Sequence, residues 1–399
     1  MLRFSRVAEN PGGHIGSRQR LRRPPPVSLA HLLALFLKVG SLGFGGGMAV
    51  IALMEREFVQ RRKLLTVEEF LHGVGFGQVL GAFSVNAAYF IGYRMYGAVG
   101  GLLSAATFLM PSVVLVIALA SFYFRYHEIP ALQGAVNGLG PVVIALILDA
   151  AVGLGRKVLH GPLAFLLAGA ALVAGAYQVN AVWILLAAGA IGLLMRRGPD
   201  SPLPGDAGPP PAALPLLHIP VGMTHLTLLA NTSLIFLKIG FVFFGGGFVL
   251  VPVLHRHMVS ELGWLTTREF LDGVAISNLT PGPIAVLATF AGYHVAGVSG
   301  AILSTAALMA PALALMWVMS AQYERVRENP VAQRFLEGVN PAITGLIVSA
   351  VFLLGGSAIL SWRGVALSAV SFLLLARFHW HPAFVLVMGA ALGYFAILP

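Results

Sequence analysis

The amino-acid sequence predicts an all-α, multi-pass membrane protein made of two homologous halves, with broken or re-entrant helices in each. Composition is the first ground. Of 399 residues, 58% are hydrophobic and only 10% charged, with a mean hydropathy of +0.86, whereas a soluble domain carries about 25% charged residues. The second ground is an internal repeat: residues 33–156 align with 233–356 without a gap, at an offset of 200 and roughly one-third identity. The third is the presence of 47 glycines and 24 prolines, both commoner in membrane helices than in soluble ones. Apolar stretches near the length that crosses a bilayer recur throughout, giving about 10–12 transmembrane helices at ~20 residues each.

Residues 1–27 carry Arg3, Arg6, Arg18, Arg20, Arg22 and Arg23 but no apolar run. They are expected to be a basic cytoplasmic tail rather than a cleavable signal. The first half, 28–197, opens with an apolar segment over 28–44 that runs Phe36-Leu37-Lys38-Val39-Gly40 into Phe44-Gly45-Gly46-Gly47. Three consecutive glycines interrupt a helix, because glycine loses the most backbone entropy on ordering. An amphipathic stretch with charges at 55–63 follows, then an interrupted segment over 66–93 with Gln78-Val79-Leu80-Gly81-Ala82-Phe83 at its middle. Long apolar helices are expected near 97–122, 134–155, 160–177 and 180–196. Residues 198–222, rich in Pro, Gly and Ala, form a linker.

The second half, 223–399, repeats the plan. Phe236-Leu237-Lys238-Ile239-Gly240 leads into Phe244-Gly245-Gly246-Gly247, charges cluster at 255–261, and the interrupted segment spans 266–293. Its middle reads Asn278-Leu279-Thr280-Pro281-Gly282-Pro283, where two prolines without N–H groups require two half-helices to meet. The basic tail orients the N-terminus to the cytoplasm. Each half crosses five times if the interrupted segment is a hairpin and six if it spans. Arg196-Arg197 favours an even count, while analogy with other duplicated transporters favours inverted repeats.

Interrupted segments at matching places in two halves point to a transporter's binding site. Lys38 and Lys238 lie within apolar segments, where an ionisable residue is a functional candidate; the alternative is that each snorkels to an interface. Gly45, Gly46, Gly47, Gly245, Gly246 and Gly247, with the Thr280, Pro281, Gly282 and Pro283 break, would expose N–H groups at helix N-termini, which hold anions. Close helix packing is the competing role for these glycines. Gln78, Ser84 and Asn86 in one half, and Ser277, Asn278 and Thr280 in the other, are neutral donors suited to an oxyanion or to local capping.

Proton coupling has its candidates too. Glu55-Arg56-Glu57 becomes His255-Arg256-His257 in the repeat, and such groups titrate if they line the mouth; a solvated face is the plainer reading. Glu69 and Glu269 follow Thr66 and Thr266 by three residues, the pattern of a capping box, with proton coupling as the alternative. His255 and His257 point to different sides of a helix, so no metal site is expected, and no cofactor. The chain has no cysteine, which excludes disulfides and thiolate metal sites. No phosphate-binding loop, dinucleotide fingerprint or nucleophile elbow occurs, so the chain is not expected to be an enzyme. The net charge of +10 resides in tail and loops and calls for no nucleic-acid partner.

These motifs carry a family resemblance. Phe-Leu-Lys-x-Gly before Phe-Gly-Gly-Gly, Leu-Thr-x-x-Glu-Phe-Leu at 65–71 and 265–271, Thr-Pro-Gly-Pro at 280–283 and the following Gly-Tyr together resemble the chromate ion transporter family in its long, fused-duplicate form. The likeness covers both halves. It implies a prokaryotic inner-membrane carrier that exports chromate, a tetrahedral dianion, coupled to protons. Its partners would be the oxyanion and membrane lipid, with a homodimer left open. Another oxyanion such as sulfate, or a passive anion channel, is the alternative. The family often carries Pro-Gly-Pro in both halves. Here the first half reads Gly81-Ala82-Phe83, so the two sides of the expected site are chemically unequal.

Overall fold

The computed structural model describes residues 27–43, 46–67, 69–70, 73–74, 77, 82–126, 129–179, 181–195, 225–241, 248, 250–321, 330–359 and 361–395. Among the described residues every regular element is helical and no strand occurs. The first half contains α1 (Leu29–Leu42), α2 (Gly46–Met54), α3 (Phe83–Tyr126), α4 (Pro130–Val158), α5 (Gly161–Ala176) and α6 (Ala181–Met195). The second contains α7 (His225–Gly240), α8 (Leu250–His255), α9 (Thr267–Leu279), α10 (Leu287–Ala321), α11 (Pro330–Ala358), α12 (Trp362–Ala376) and α13 (Pro382–Tyr394). Helices α2 and α8 each continue as a π-helix, over Glu55–Arg61 and Arg256–Glu261. Four stretches, Ser84–Tyr126, Gln133–Val158, Ile284–Ala321 and Glu337–Ala358, are long and apolar enough to cross a membrane, and shorter apolar helices accompany them. The expected multi-pass helical architecture with two repeats is thus observed.

Helix α1 starts where the Ser28 hydroxyl accepts the His31 N–H and stops at Gly43. The expected first break therefore precedes Gly46 and Gly47, which open α2 instead of lying in an irregular loop; Gly45 and Gly245–Gly247 lie outside the described residues, as does Gln78. The second break is as expected in the second half: α9 ends at Leu279, Thr280 is extended, and a short 3-10 turn over Ile284–Val286 precedes α10.

A straight α3 would be ~66 Å long at ~1.5 Å per residue, about twice the hydrocarbon core of a bilayer. It is instead a hairpin that turns at Tyr96 and Gly97, where Gly97 adopts φ +66. A Cβ on Gly92 would meet the Gly100 carbonyl oxygen at 2.3 Å and the Ser104 hydroxyl at 2.4 Å, residues that a straight helix separates by ~12–18 Å. The second half repeats the turn at Ala296 and Gly297, with φ +61 at the glycine, and the Thr289 and Thr305 hydroxyls lie 2.7 Å apart across it.

The halves interleave. Helix α11 packs on α5 and α6 of the first half, α4 packs on α12 and α13 of the second, and the hairpins α3 and α10 pack on each other. Lipid offers no hydrophobic drive between helices, so small residues that bring backbones together supply the contact. Gly138 faces the Gly389 carbonyl, Gly345 faces that of Ala168, and Gly338 that of Ala188, each too close for a side chain. Within each half the glycine of Phe-Leu-Lys-x-Gly has the same use. A Cβ on Gly40 would lie 2.3 Å from the Phe108 carbonyl oxygen, and one on Gly240 2.4 Å from that of Leu308. Phe36, Phe70 and Phe90, with their counterparts Phe236, Phe270 and Phe290, are buried in matching positions.

Candidate substrate site where the two halves meet

The first break of one half touches the second break of the other. The Gly282 N–H donates to the Gly43 carbonyl at 2.9 Å, joining the α9–α10 break to the end of α1. Gly282 holds φ +100, a conformation that glycine adopts freely and other residues rarely do. The Ser112 hydroxyl of α3 donates to the Pro281 carbonyl, and a Cβ on Gly282 would meet that hydroxyl at 2.5 Å. Residues 280–292 are all buried, so irregular backbone lies inside protein, the condition for tolerating it at membrane depth.

The neutral donors near this break divide into two groups. Ser277 and Asn278 donate back to the Gly273 and Val274 carbonyls at 2.7 and 2.8 Å, and Thr280 donates to the Ser277 carbonyl at 2.9 Å. Their donors stabilise the end of α9. Asn86, at the start of α3, is fully buried, and neither atom of its amide has a hydrogen-bond partner among the described residues. A buried amide left unpaired costs on the order of 1–3 kcal/mol. Pro281, Gly282 and Pro283 lie at the junction itself; Ser84 is buried beside Asn86 in sequence.

Lys38 belongs to a charged triplet. Its Nζ donates to Glu57 Oε1 at 2.9 Å, and Arg61 Nη1 donates to the same oxygen at 2.8 Å. Glu57 is 3% exposed while the lysine is 47% exposed. The expected solvated face over 55–57 is therefore corrected at Glu57, because one turn of π-helix brings this carboxylate under two cations. Glu55 remains on the outer side, accepting from Gln60 at 3.2 Å.

The second half exchanges acid and base at the matching positions. Position 257 is histidine where 57 is glutamate, and 261 is glutamate where 61 is arginine. Glu261 accepts from Arg256 Nε at 2.7 Å and lies 2.5 Å from His257 Nδ1. Lys238, His257 and Glu261 line a cavity of about 50 Å³ with Asn231 and Ile235. His255 also departs from a solvated face: it is 5% exposed, its ring meets Phe270 edge-on at 5.3 Å, and neither nitrogen has a partner among the described residues.

Glu69 and Glu269 act as caps. The Thr266 hydroxyl accepts the Glu269 N–H while the Glu269 carboxylate accepts the Thr266 N–H, and Thr66 and Glu69 make the same pair of bonds. Glu69 additionally pairs with Arg94.

Sequence reasoning passed over Ser112, Gly43 and one pair of buried groups, Asp272 and Tyr123. Asp272 of α9 is 2% exposed and accepts a hydrogen bond at 2.6 Å from the Tyr123 hydroxyl of α3. A signal for Asp272 was present: it is an acid inside an interrupted apolar segment, past the Thr266–Glu269 capping box, where ionisable residues are functional candidates. Ser112 and Gly43 had none, since their importance comes from residues about 170 and 240 positions away.

Comparison with known proteins agrees with this architecture. The family model described as chromate transporter matches residues 30–193 and again 230–394, once per half. A probable chromate transport protein of Synechococcus elongatus is 32% identical over 338 residues, covering 83% of this chain and 86% of its own. A chromate transport protein of Cupriavidus metallidurans is 30% identical over 376 residues, covering 92% and 93%. One of Pseudomonas aeruginosa is 33% identical over 336 residues, covering 81% and 80%. No solved structure matches the chain. Two family matches, one on each of the interleaved halves, with relatives aligned along most of the length, show that this chain belongs to the chromate transporter family.

Proposed function

We propose that the protein is a secondary transporter that moves chromate out of the cell by proton-coupled alternating access. The observation that carries this reading is the Gly43–Gly282 contact, which brings a helix break from each half to one buried junction. Broken helices at a repeat interface are where such carriers bind substrate. Rocking of one half against the other opens that junction to either side in turn. The anion is attracted by Lys38 with Arg61, two cations that share one carboxylate, and by Lys238 at its cavity. Donors come from the N-terminal turn of α2 at Gly46 and Gly47, from the unpaired amide of Asn86, and from the residues at 45, 245–247 and 78. Glu55, Glu57, Glu69, His255, His257 and Glu269 are the proton-carrier candidates that the sequence offers, of which Glu69 and Glu269 are already engaged in their caps. The family relatives named for chromate transport support the choice of anion. The site belongs in a prokaryotic inner membrane, with the N-terminus cytoplasmic, and works as a monomer or a homodimer.

The test is chromate efflux from vesicles carrying the double variant Lys38→Met, Lys238→Met. Loss of two cations from the path is expected to reduce efflux strongly; unchanged efflux sinks the charge-neutralisation idea. The unequal second break, Gly81-Ala82-Phe83 against Pro281-Gly282-Pro283, favours a second reading in which sulfate or another oxyanion is preferred. Competition of sulfate and molybdate against labelled chromate in proteoliposomes separates the two. A channel would instead conduct without dependence on a pH gradient.

A further inference from the structure

A carboxyl group lies deep between the halves, apart from the charged groups at Glu57 and Glu261. Asp272 sits on α9 below the second break, with Tyr123 as its hydrogen-bond donor. That bond joins a residue of the first half to one of the second. Tyr123 is itself buried, and Phe290 and Phe124 pack against its ring at 5.6 and 5.1 Å. Arg268 lies one turn away on the same helix, yet its guanidinium is directed to α4, where it donates to the Asn137 amide oxygen and the Gln133 carbonyl. No ion pair to Asp272 occurs among the described residues. A buried carboxylate lacking a bonded cation is costly, whereas a protonated carboxyl with a hydrogen-bond partner is not.

The group also borders a cavity with room for water. Asp272, Arg268 and Asn137 line a cavity of about 40 Å³ together with Pro141, Ser357 and Ser361, and a bound water needs roughly 10–15 Å³ of such space. Of the residues that line it, Arg268 is exposed and Asp272 is buried. The charged and titratable groups near Asp272 are few. Tyr123 faces it from α3, while Arg268 and Glu269 share its helix, the latter held in its cap. Helix α4 presents the neutral Asn137, and α11 and α12 present Ser357, Ala358 and Gly364. His255 of α8 lies on the Phe270 ring two residues before Asp272.

We infer that Asp272 carries the coupled proton, with Tyr123 as the group that ties its protonation to the position of the two halves. This rests on the proton-coupled reading above. A proton from water in the cavity adds to a carboxylate oxygen of Asp272. It is later released to water on the opposite side, leaving the carboxylate as before. The Tyr123 hydroxyl donates to the carboxyl in both states, but a hydrogen bond to an ionised acceptor is roughly twice as strong as one between neutral groups. Loss of the proton therefore tightens the tie between halves, and its uptake loosens the tie so that the halves can rock.

The experiment reconstitutes the full-length protein into proteoliposomes and compares two modes: chromate accumulation driven by an imposed pH gradient, and chromate–chromate exchange without a gradient. In Asp272→Asn, gradient-driven accumulation is expected to be lost while exchange persists, and Asp272→Glu is expected to restore accumulation. Tyr123→Phe keeps the carboxyl and removes the tie. It is expected to shift the pH at which gradient-driven transport is half-maximal. A gradient-dependent wild type whose Asp272→Asn variant responds to the gradient equally well overturns the assignment to Asp272. A wild type indifferent to the gradient overturns the coupling reading itself. Should Asp272→Asn lose both modes, the Tyr123→Phe pH profile decides: a shifted profile supports the inference and an unchanged one refutes it.

Discussion

Gly282→Ala tests the junction of the two breaks directly. Two costs can be worked from the geometry. The residue holds φ +100, and an L-residue with positive φ costs roughly 1–2 kcal/mol. The new methyl would also lie 2.5 Å from the Ser112 hydroxyl, which already donates to the Pro281 carbonyl. Moving the hydroxyl aside loses that buried bond, about 1 kcal/mol. The expected loss is about 2–3 kcal/mol. Thermal unfolding of purified protein in detergent measures it, alongside chromate transport, which should fall with it because the break can no longer seat against Gly43. Ser112→Ala provides the decisive comparison. With the hydroxyl gone, the added methyl has room, so the double variant should be less destabilised than the sum of the two singles, by about 1 kcal/mol. Strict additivity, or a Gly282→Ala protein as stable and active as wild type, would falsify this picture of the junction.

Other expectations follow from the same geometry. Gly40→Ala drives a methyl into the Phe108 carbonyl, whereas Gly153→Ala in α4 meets nothing within 4 Å. The first should lower the melting temperature sharply and the second leave it near wild type; equal effects would mean that the α1–α3 contact is looser than described. Glu269→Gln keeps a capping-box side chain while removing a titratable group. Stability and gradient-driven transport should both survive, and abolished coupling would return Glu269 to the proton path. Thr266→Val, by contrast, removes the cap itself and should cost about 1 kcal/mol of stability.

Much of the fold was legible because duplication and lipid leave plain marks. A hydrophobic composition, a gapless repeat and prolines at 281 and 283 announce paired broken helices without any contact being known. The capping boxes were legible for the same reason, since Thr and Glu three residues apart act within one helical turn. The site was legible only in part. Lys38 could be picked out as a charge in an apolar segment, but its carboxylate partner Glu57 is 19 positions on and looked like part of a solvated run. The π-helical turn that rotates Glu57 inward is a matter of backbone geometry, which side-chain periodicity does not encode. Gly40 and Gly240 could equally have served as ligand-approaching glycines; close packing on Phe108 and Leu308 decided their use.

The sequence by itself determined that this is a duplicated, multi-pass helical membrane protein of a recognisable family, and it located the break at Thr280–Pro283. Those properties follow from local rules: which residues tolerate lipid, which interrupt a helix, and which letters recur at a constant offset. Tertiary structure decided which break meets which, that α4 and α11 are clasped by helices of the opposite half, and that Asp272 finds its partner in Tyr123. Such pairings join residues more than a hundred positions apart. They are chosen by how interleaved helices pack and by which buried polar groups that packing brings within bonding distance, conditions that only the folded chain as a whole can set.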